Sequence, residues 1–257
     1  MTRWPWPASP ANRRVSSRPG VSSCALRLEA TPVDRVSRET QEPVDAIVWR
    51  LFPQRTKEIY RYVDLLASIG VERGLIGPVE GARLWERHIL NCAVVSPVFA
   101  RSSTVCDLGS GAGLPGVVLA LARPDLSVTL LEPLLRRSTF LTEVLALLEV
   151  ANVEVVRARA EQLVGKRSFD AVTARAVAPL GRLAGWGLPL CRPGGELVAI
   201  KGSTAADEAR AAAGVLAKHC AGTVRIEQYG ADVVSPATIV IRIESSGRQR
   251  ARKKGRP

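Results

Sequence analysis

The chain is short of several things. Of its 257 residues only 5% are aromatic, two are histidine and one is methionine, so a site built on several imidazoles is excluded. The five cysteines, Cys24, Cys92, Cys106, Cys191 and Cys220, are odd in number and contain no C-x-x-C pair. Neither metal-ligand spacing nor a disulfide framework is present, and reduced thiols in a cytoplasmic protein with no metal are expected. No apolar run approaches the eighteen or so residues of a membrane span, and the first residues lack the continuous apolar stretch of a secretory signal. A soluble protein with no membrane partner is expected. A Ser-His-Asp set and a nucleophilic cysteine are equally without a pattern to support them.

Acids are the scarcer charge, 24 against 36 lysines and arginines, for a formal net charge of +12. The excess is uneven. Residues 1–43 carry seven arginines against four acids, residues 245–257 carry six cations and no acid, and the remainder is 23 against 20. Basicity concentrated at the ends suits a polyanionic partner such as nucleic acid. Residues 1–43 also hold six prolines and no sustained apolar period, which predicts a disordered extension, and residues 245–257 read as a basic disordered tail.

Between them lies enough chain for one large α/β domain, which at this size buries roughly 70% of its unfolded surface. Residues 44–100 read as a helical cap, with Ile47, Val48 and Leu51, then Ile59, Tyr62, Val63 and Leu66, at helical spacing. A third helix over 79–95 places Leu84, His88 and Cys92 on one face. His88 reads equally as a residue facing a cleft and as a half-buried structural histidine. Residues 101–244 alternate apolar strand with amphipathic helix, the pattern of a mostly parallel sheet, and close on a strand pair at 224–229 and 238–243.

The organising stretch is Val105 to Gly116, VCDLGSGAGLPG. A β-branched run ends in Asp107 and enters a loop containing Gly109, Gly111, Gly113 and Leu114, after which Pro115 suits a helix start. Strand, glycine loop and helix make a nucleotide-type site. Two ligands fit the letters. Gly111, Gly113 and Gly116 are spaced G-x-G-x-x-G with Glu132 about twenty residues on, which is the dinucleotide fingerprint of an NAD(P) oxidoreductase. A carboxylate at the strand tip instead favours a cation such as the sulfonium of S-adenosylmethionine, and we expect Asp107 to face it.

Right-handed crossovers put the carboxyl ends of the parallel strands on one edge. Asp107, Glu132, Arg159 with Glu161, Arg175 and Lys201 each lie at or just after such an end. Glu132 is expected to accept ribose hydroxyls, and Ala160 with Glu161 to flank the adenine. Arg175 and Lys201 are expected at substrate or cofactor, because two cations beside a cationic cofactor need an anion. Catalysis without a base would be alignment, worth up to roughly 7–11 kcal/mol.

Five blocks carry a resemblance: RHIL at 87–90, DLGSGAGLPG at 107–116, LLEPLLRRSTFL at 130–141, FDAVTARA at 169–176 and AIKG at 199–202. Together they closely resemble the RsmG (GidB) family of 16S rRNA guanine-527-N7 methyltransferases, over about residues 50–244. The resemblance implies a Rossmann-like class I enzyme using S-adenosylmethionine, with a seven-stranded, mostly parallel sheet. It implies 16S rRNA in the 30S subunit as partner, a monomer, and streptomycin resistance on loss of the modification. It favours Arg159, Arg175 and Lys201 as cofactor or RNA contacts, with Arg175 and Lys201 in the catalytic role and His88 beside the RNA. Asn91-Cys92 stands where many relatives have Asp-Ser, and Ala174 where Ser is usual. A non-catalytic assembly factor that keeps the pocket is the remaining alternative.

Overall fold

A computed structural model describes residues 28–30, 43–81, 83–219 and 221–246. A short strand β1 (Leu28–Ala30) precedes a helical cap of α1 (Val44–Leu51), α2 (Thr56–Leu65), α3 (Pro78–Gly81) and α4 (Leu90–Ala93). The core then runs β2 (Thr104–Leu108), α5 (Gly116–Ala122), β3 (Ser127–Leu131), α6 (Leu135–Leu148), β4 (Val153–Val156) and α7 (Ala160–Leu163). It continues through β5 (Phe169–Arg175), α8 (Leu180–Gly187), β6 (Cys191–Lys201), α9 (Ala205–Lys218), β7 (Ala221–Tyr229) and β8 (Thr238–Ser245).

The strands form one sheet in the order β1-β7-β8-β6-β5-β2-β3-β4. Seven of them are the expected core, parallel from β6 to β4, with β8 antiparallel to both β6 and β7. The eighth corrects the reading of residues 1–43 as wholly without structure. Leu28–Ala30 pairs in parallel with Val224–Ile226, because β7 would otherwise leave a row of backbone groups unpaired at the sheet edge. The rest of residues 1–42 and the tail beyond residue 246 lie outside the described residues.

Strand order reverses at β2, with β3 on one side and β5 on the other. At such a switch point the two flanking crossovers leave in opposite directions, and a crevice opens at the carboxyl ends of the strands. Two apolar layers hold the sheet. On one face the cap, α5 and α6 bury Ile59, Tyr62, Leu66, Phe140, Leu141 and Val144 against Val105, Val128 and Leu130. On the other, α8 and α9 bury Leu180, Leu183, Ala209 and Ala212 against Val172, Leu197 and Ile241. Successive residues of β2, Val105 and Cys106, fall into opposite layers, as the two-residue side-chain period requires.

The third cap helix expected over 79–95 is broken. α3 ends at Gly81, and a wide turn at Trp85–Ile89 leads into α4. Leu84, Ile89 and Leu90 are buried while Glu86 is exposed, so the apolar period survives. What changes is that the carbonyls of Arg87 and His88 accept from Arg175.

Candidate active site at the carboxyl edge

A cleft of about 600 Å³ opens at the switch point. Its floor is the loop after β2, with Gly109, Ser110, Gly111, Ala112 and Leu114 on the wall. Glu132, after β3, and Arg159, Ala160 and Glu161, after β4, form one side; Arg175 at the end of β5 and His88 of the cap form the other. These elements are far apart in sequence and converge because every parallel strand points the same way.

The loop is held by two carboxylates. Glu132 is 1% exposed; its Oε2 accepts from the Gly111 backbone N–H at 2.9 Å and its Oε1 from Leu134 N–H at 3.0 Å. Asp107 accepts from the Gly116 N–H at 3.0 Å through Oδ2, and its Oδ1 is buried with no hydrogen-bond partner among the described residues. Burial pushes the Asp107 carboxyl up to about 7, against the opposing pull of its hydrogen bonds.

Asp107 therefore departs from expectation: it is fully buried beneath the loop and is not on the cleft wall. Gly113 lies behind the wall as well, where an added Cβ would come within 2.6 Å of Val117 Cγ2 and 2.7 Å of the Tyr62 hydroxyl. Tyr62 in turn donates to the Ala112 carbonyl at 2.8 Å, so the cap grips the loop from behind.

This arrangement distinguishes the two candidate ligands. A pyrophosphate is ordinarily cradled by free N–H groups of the loop and the helix start. Here those at Gly111 and Gly116 already donate to side-chain carboxyl oxygens, so the amides that a pyrophosphate would need are occupied. A cationic, phosphate-free nucleoside suits the same surroundings. Gly111, at φ +58, would carry a Cβ whose nearest neighbour is the Gly109 carbonyl at 3.8 Å; bare backbone at the cleft wall lets a ligand lie directly against it.

Arg175 lines the cleft, but its guanidinium reaches into the cap. It donates to the Arg87 carbonyl at 2.8 Å and the His88 carbonyl at 3.4 Å, and lies 2.7 Å from His88 Nδ1 and 3.4 Å from Cys92 Sγ. His88 Nε2 is 2.8 Å from Glu80 Oε2. Burial and the Arg175 charge together lower the His88 pKa, and burial raises that of the Cys92 thiol. The two unusual residues Asn91 and Cys92 are both engaged, Asn91 Oδ1 by Thr238 at 2.7 Å and Cys92 by Arg175.

Lys201 also departs from expectation. It is absent from the cleft wall; its Nζ donates to the Ala178 carbonyl at 2.9 Å and pairs with Glu208 at 2.7 Å. Glu208 accepts from Leu180 N–H as well, so Lys201 ties the start of α8 to α9. Sequence reasoning also missed Trp186, Leu75 and Ile76, which line the cleft. Trp186 shared only the apolar period of its helix, and Leu75 and Ile76 lie in a bend outside any helix. Among the described residues there is no group of three or more His, Cys, Asp or Glu suited to a metal, and no helix long and apolar enough to cross a membrane.

The same architecture occurs in a cofactor-bound protein, Rv0187 from MTB, with a TM-score of 0.52, 18% identity, and coverage of 82% of this chain and 99% of that one. An O-methyltransferase from Bacillus cereus in complex with SAH superposes with a TM-score of 0.53 at 14% identity, over 80% and 98% of the two chains. Fold and cleft thus define a Rossmann-like α/β domain with a nucleoside-type cleft at its switch point. The family model described as rRNA small subunit methyltransferase G matches residues 55–233. A ribosomal RNA small subunit methyltransferase G from Streptomyces coelicolor is 56% identical over 203 residues, 79% of this chain and 85% of that protein. Its counterpart from Corynebacterium diphtheriae is 46% identical over 202 residues, 77% and 91% of the two. The chain belongs to the rRNA small subunit methyltransferase G family, and the oxidoreductase reading of its glycines is set aside.

Proposed function

We propose that the chain transfers the methyl group of S-adenosylmethionine to N7 of guanine 527 in 16S rRNA of the 30S subunit. The observation that carries the cofactor half is the pair of carboxylates already bonded to the loop amides, Glu132 to Gly111 and Asp107 to Gly116. S-adenosylmethionine supplies an electrophilic methyl group on a sulfonium. Glu132, bonded to the loop and lining the cleft, is the acceptor for ribose hydroxyls, and Ala160 with Glu161 flanks the adenine. Gly109, Gly111 and Leu114 present the main chain.

Guanine N7 carries an in-plane lone pair, so no general base is required. The protein's work is to align the target and keep water out. Arg159, exposed on the cleft wall, is the cation for an RNA phosphate. Arg175 and His88 hold the cap against the open end of the sheet, where the base would enter. Lys201 supports that wall through Glu208 and is not assigned a contact with the reacting atoms.

Incubation with tritiated S-adenosylmethionine and undermethylated 30S subunits is expected to label one guanosine, at position 527. Label on protein, on small molecules or on another nucleotide rejects the reading. Calorimetry is expected to show uptake of S-adenosylhomocysteine and none of NADH.

A further inference from the structure

Methyl transfer uses one edge of the sheet, and a second groove, of about 650 Å³, lies on the other. It is walled by the residues leading into β5, Lys166, Arg167 and Ser168, and by Cys191 and Arg192 at the start of β6. Lys218 and His219 at the end of α9 and Ser245 at the end of β8 complete it. β8 runs antiparallel to β6, with Glu244 opposite Glu196, so its end lies at the amino ends of the parallel strands. At about 3.3 Å per residue, the seven residues of β5 separate this groove from the cleft.

The groove wall carries four lysines and arginines and no carboxylate. Two of the four are partly compensated, Arg167 by Glu154 and Arg192 by Asp170. Lys166 and Lys218 are exposed and make no ion pair with a described residue.

We infer that this groove is a second RNA-binding surface, which takes backbone phosphates of the substrate RNA without reading sequence, at a distance from the base that is methylated. Lys166 and Lys218 supply the free charges, and Arg167 and Arg192 flank them. A large folded RNA can reach both edges of the sheet at once, and phosphate contacts fix orientation without specifying bases. The inference rests on the proposed function only in naming RNA as the polyanion.

The test is the full chain with Lys166→Glu and Lys218→Glu, measured by fluorescence anisotropy against a short RNA duplex of arbitrary sequence. Loss of about tenfold or more in affinity at low salt is expected, with a slope of log K on log salt shallower by about 1.8 for two lost phosphates. Lys166→Arg with Lys218→Arg is expected to keep wild-type binding, and all variants to keep S-adenosylhomocysteine binding, which reports an intact core. Unchanged affinity and slope in the double glutamate variant overturns the inference. So does loss of binding to 30S particles with duplex binding unaltered, which would point to an acidic protein face. If the wild type fails to methylate 30S while the glutamate variant still loses duplex binding, the proposed function falls and the groove stands.

Discussion

The imidazole of His88 meets the guanidinium of Arg175 at 2.7 Å, Nδ1 to Nη2, where the cap closes on the end of β5. Arginine only donates, so Nδ1 accepts and the ring proton sits on Nε2, facing Glu80 Oε2 at 2.8 Å. Glu80 thus selects the tautomer with which His88 holds Arg175, and the three residues form one chain from the cap surface to the cleft.

Glu80→Ala is accordingly expected to act on function more than on folding. The urea midpoint should stay near that of wild type, because Glu80 is a surface partner, while methyl transfer to 30S falls roughly ten- to hundredfold as Arg175 loses its orientation. Equal activity in the variant and the wild type would remove Glu80 from this role. The same chain predicts a pH effect. With its pKa below the ordinary 6.5, folded His88 resists a proton that the unfolded chain accepts. Its contribution to stability is present above about 6.5 and is lost as pH falls below it. His88→Gln should flatten that part of a melting-temperature profile.

Asp107 has the opposite sign. Its carboxyl is raised from 3.8 to about 7, so between those values the folded protein binds a proton that the unfolded chain has released. Stability is therefore expected to decline as pH rises through that window and to level off above it. Asp107→Asn is neutral throughout, and subtracting its melting profile from that of wild type should leave this slope. A flat difference would show that the buried carboxyl is not the cause.

Gly116 is where the helix after the loop touches the sheet. A Cβ there would stand 2.3 Å from Leu130 Cδ2 and 2.6 Å from Asp107 Oδ2. Gly116→Ala should cost about 1–3 kcal/mol in urea unfolding, as overpacked cores do, and weaken S-adenosylhomocysteine binding by displacing the loop. A variant with wild-type stability would mean that the loop has room to move.

Tyr62→Phe removes the bond from the cap to the Ala112 carbonyl and leaves that acceptor buried. A loss of about 1–3 kcal/mol is expected, together with weaker binding of S-adenosylhomocysteine by calorimetry. Binding at wild-type strength would uncouple cap from loop.

Much of the fold was legible because its signals are local. Apolar period separated strands from helices, and the glycine loop, Pro115 and Glu132 lie within one strand-helix-strand unit, so spacing alone placed them together. Arg159, Ala160, Glu161 and Arg175 were located by a topological rule that puts strand ends on one edge, and all four line the cleft. Lys201 satisfied the same rule and does not, because Glu208, seven residues on, lies 2.7 Å from its amine and no strand-end rule reports a local competitor. Asp107 was expected to face the ligand; its place under the loop depends on how closely Gly116 approaches β2.

The sequence by itself determined the class of fold and the family, since hydrophobic period and motif order are properties of neighbouring letters. Only the tertiary structure decided which charged groups are free and which are spent. A carboxylate or ammonium acts according to its nearest partner and its exposure to water, and those partners come from helices and strands that the chain brings together only when it folds.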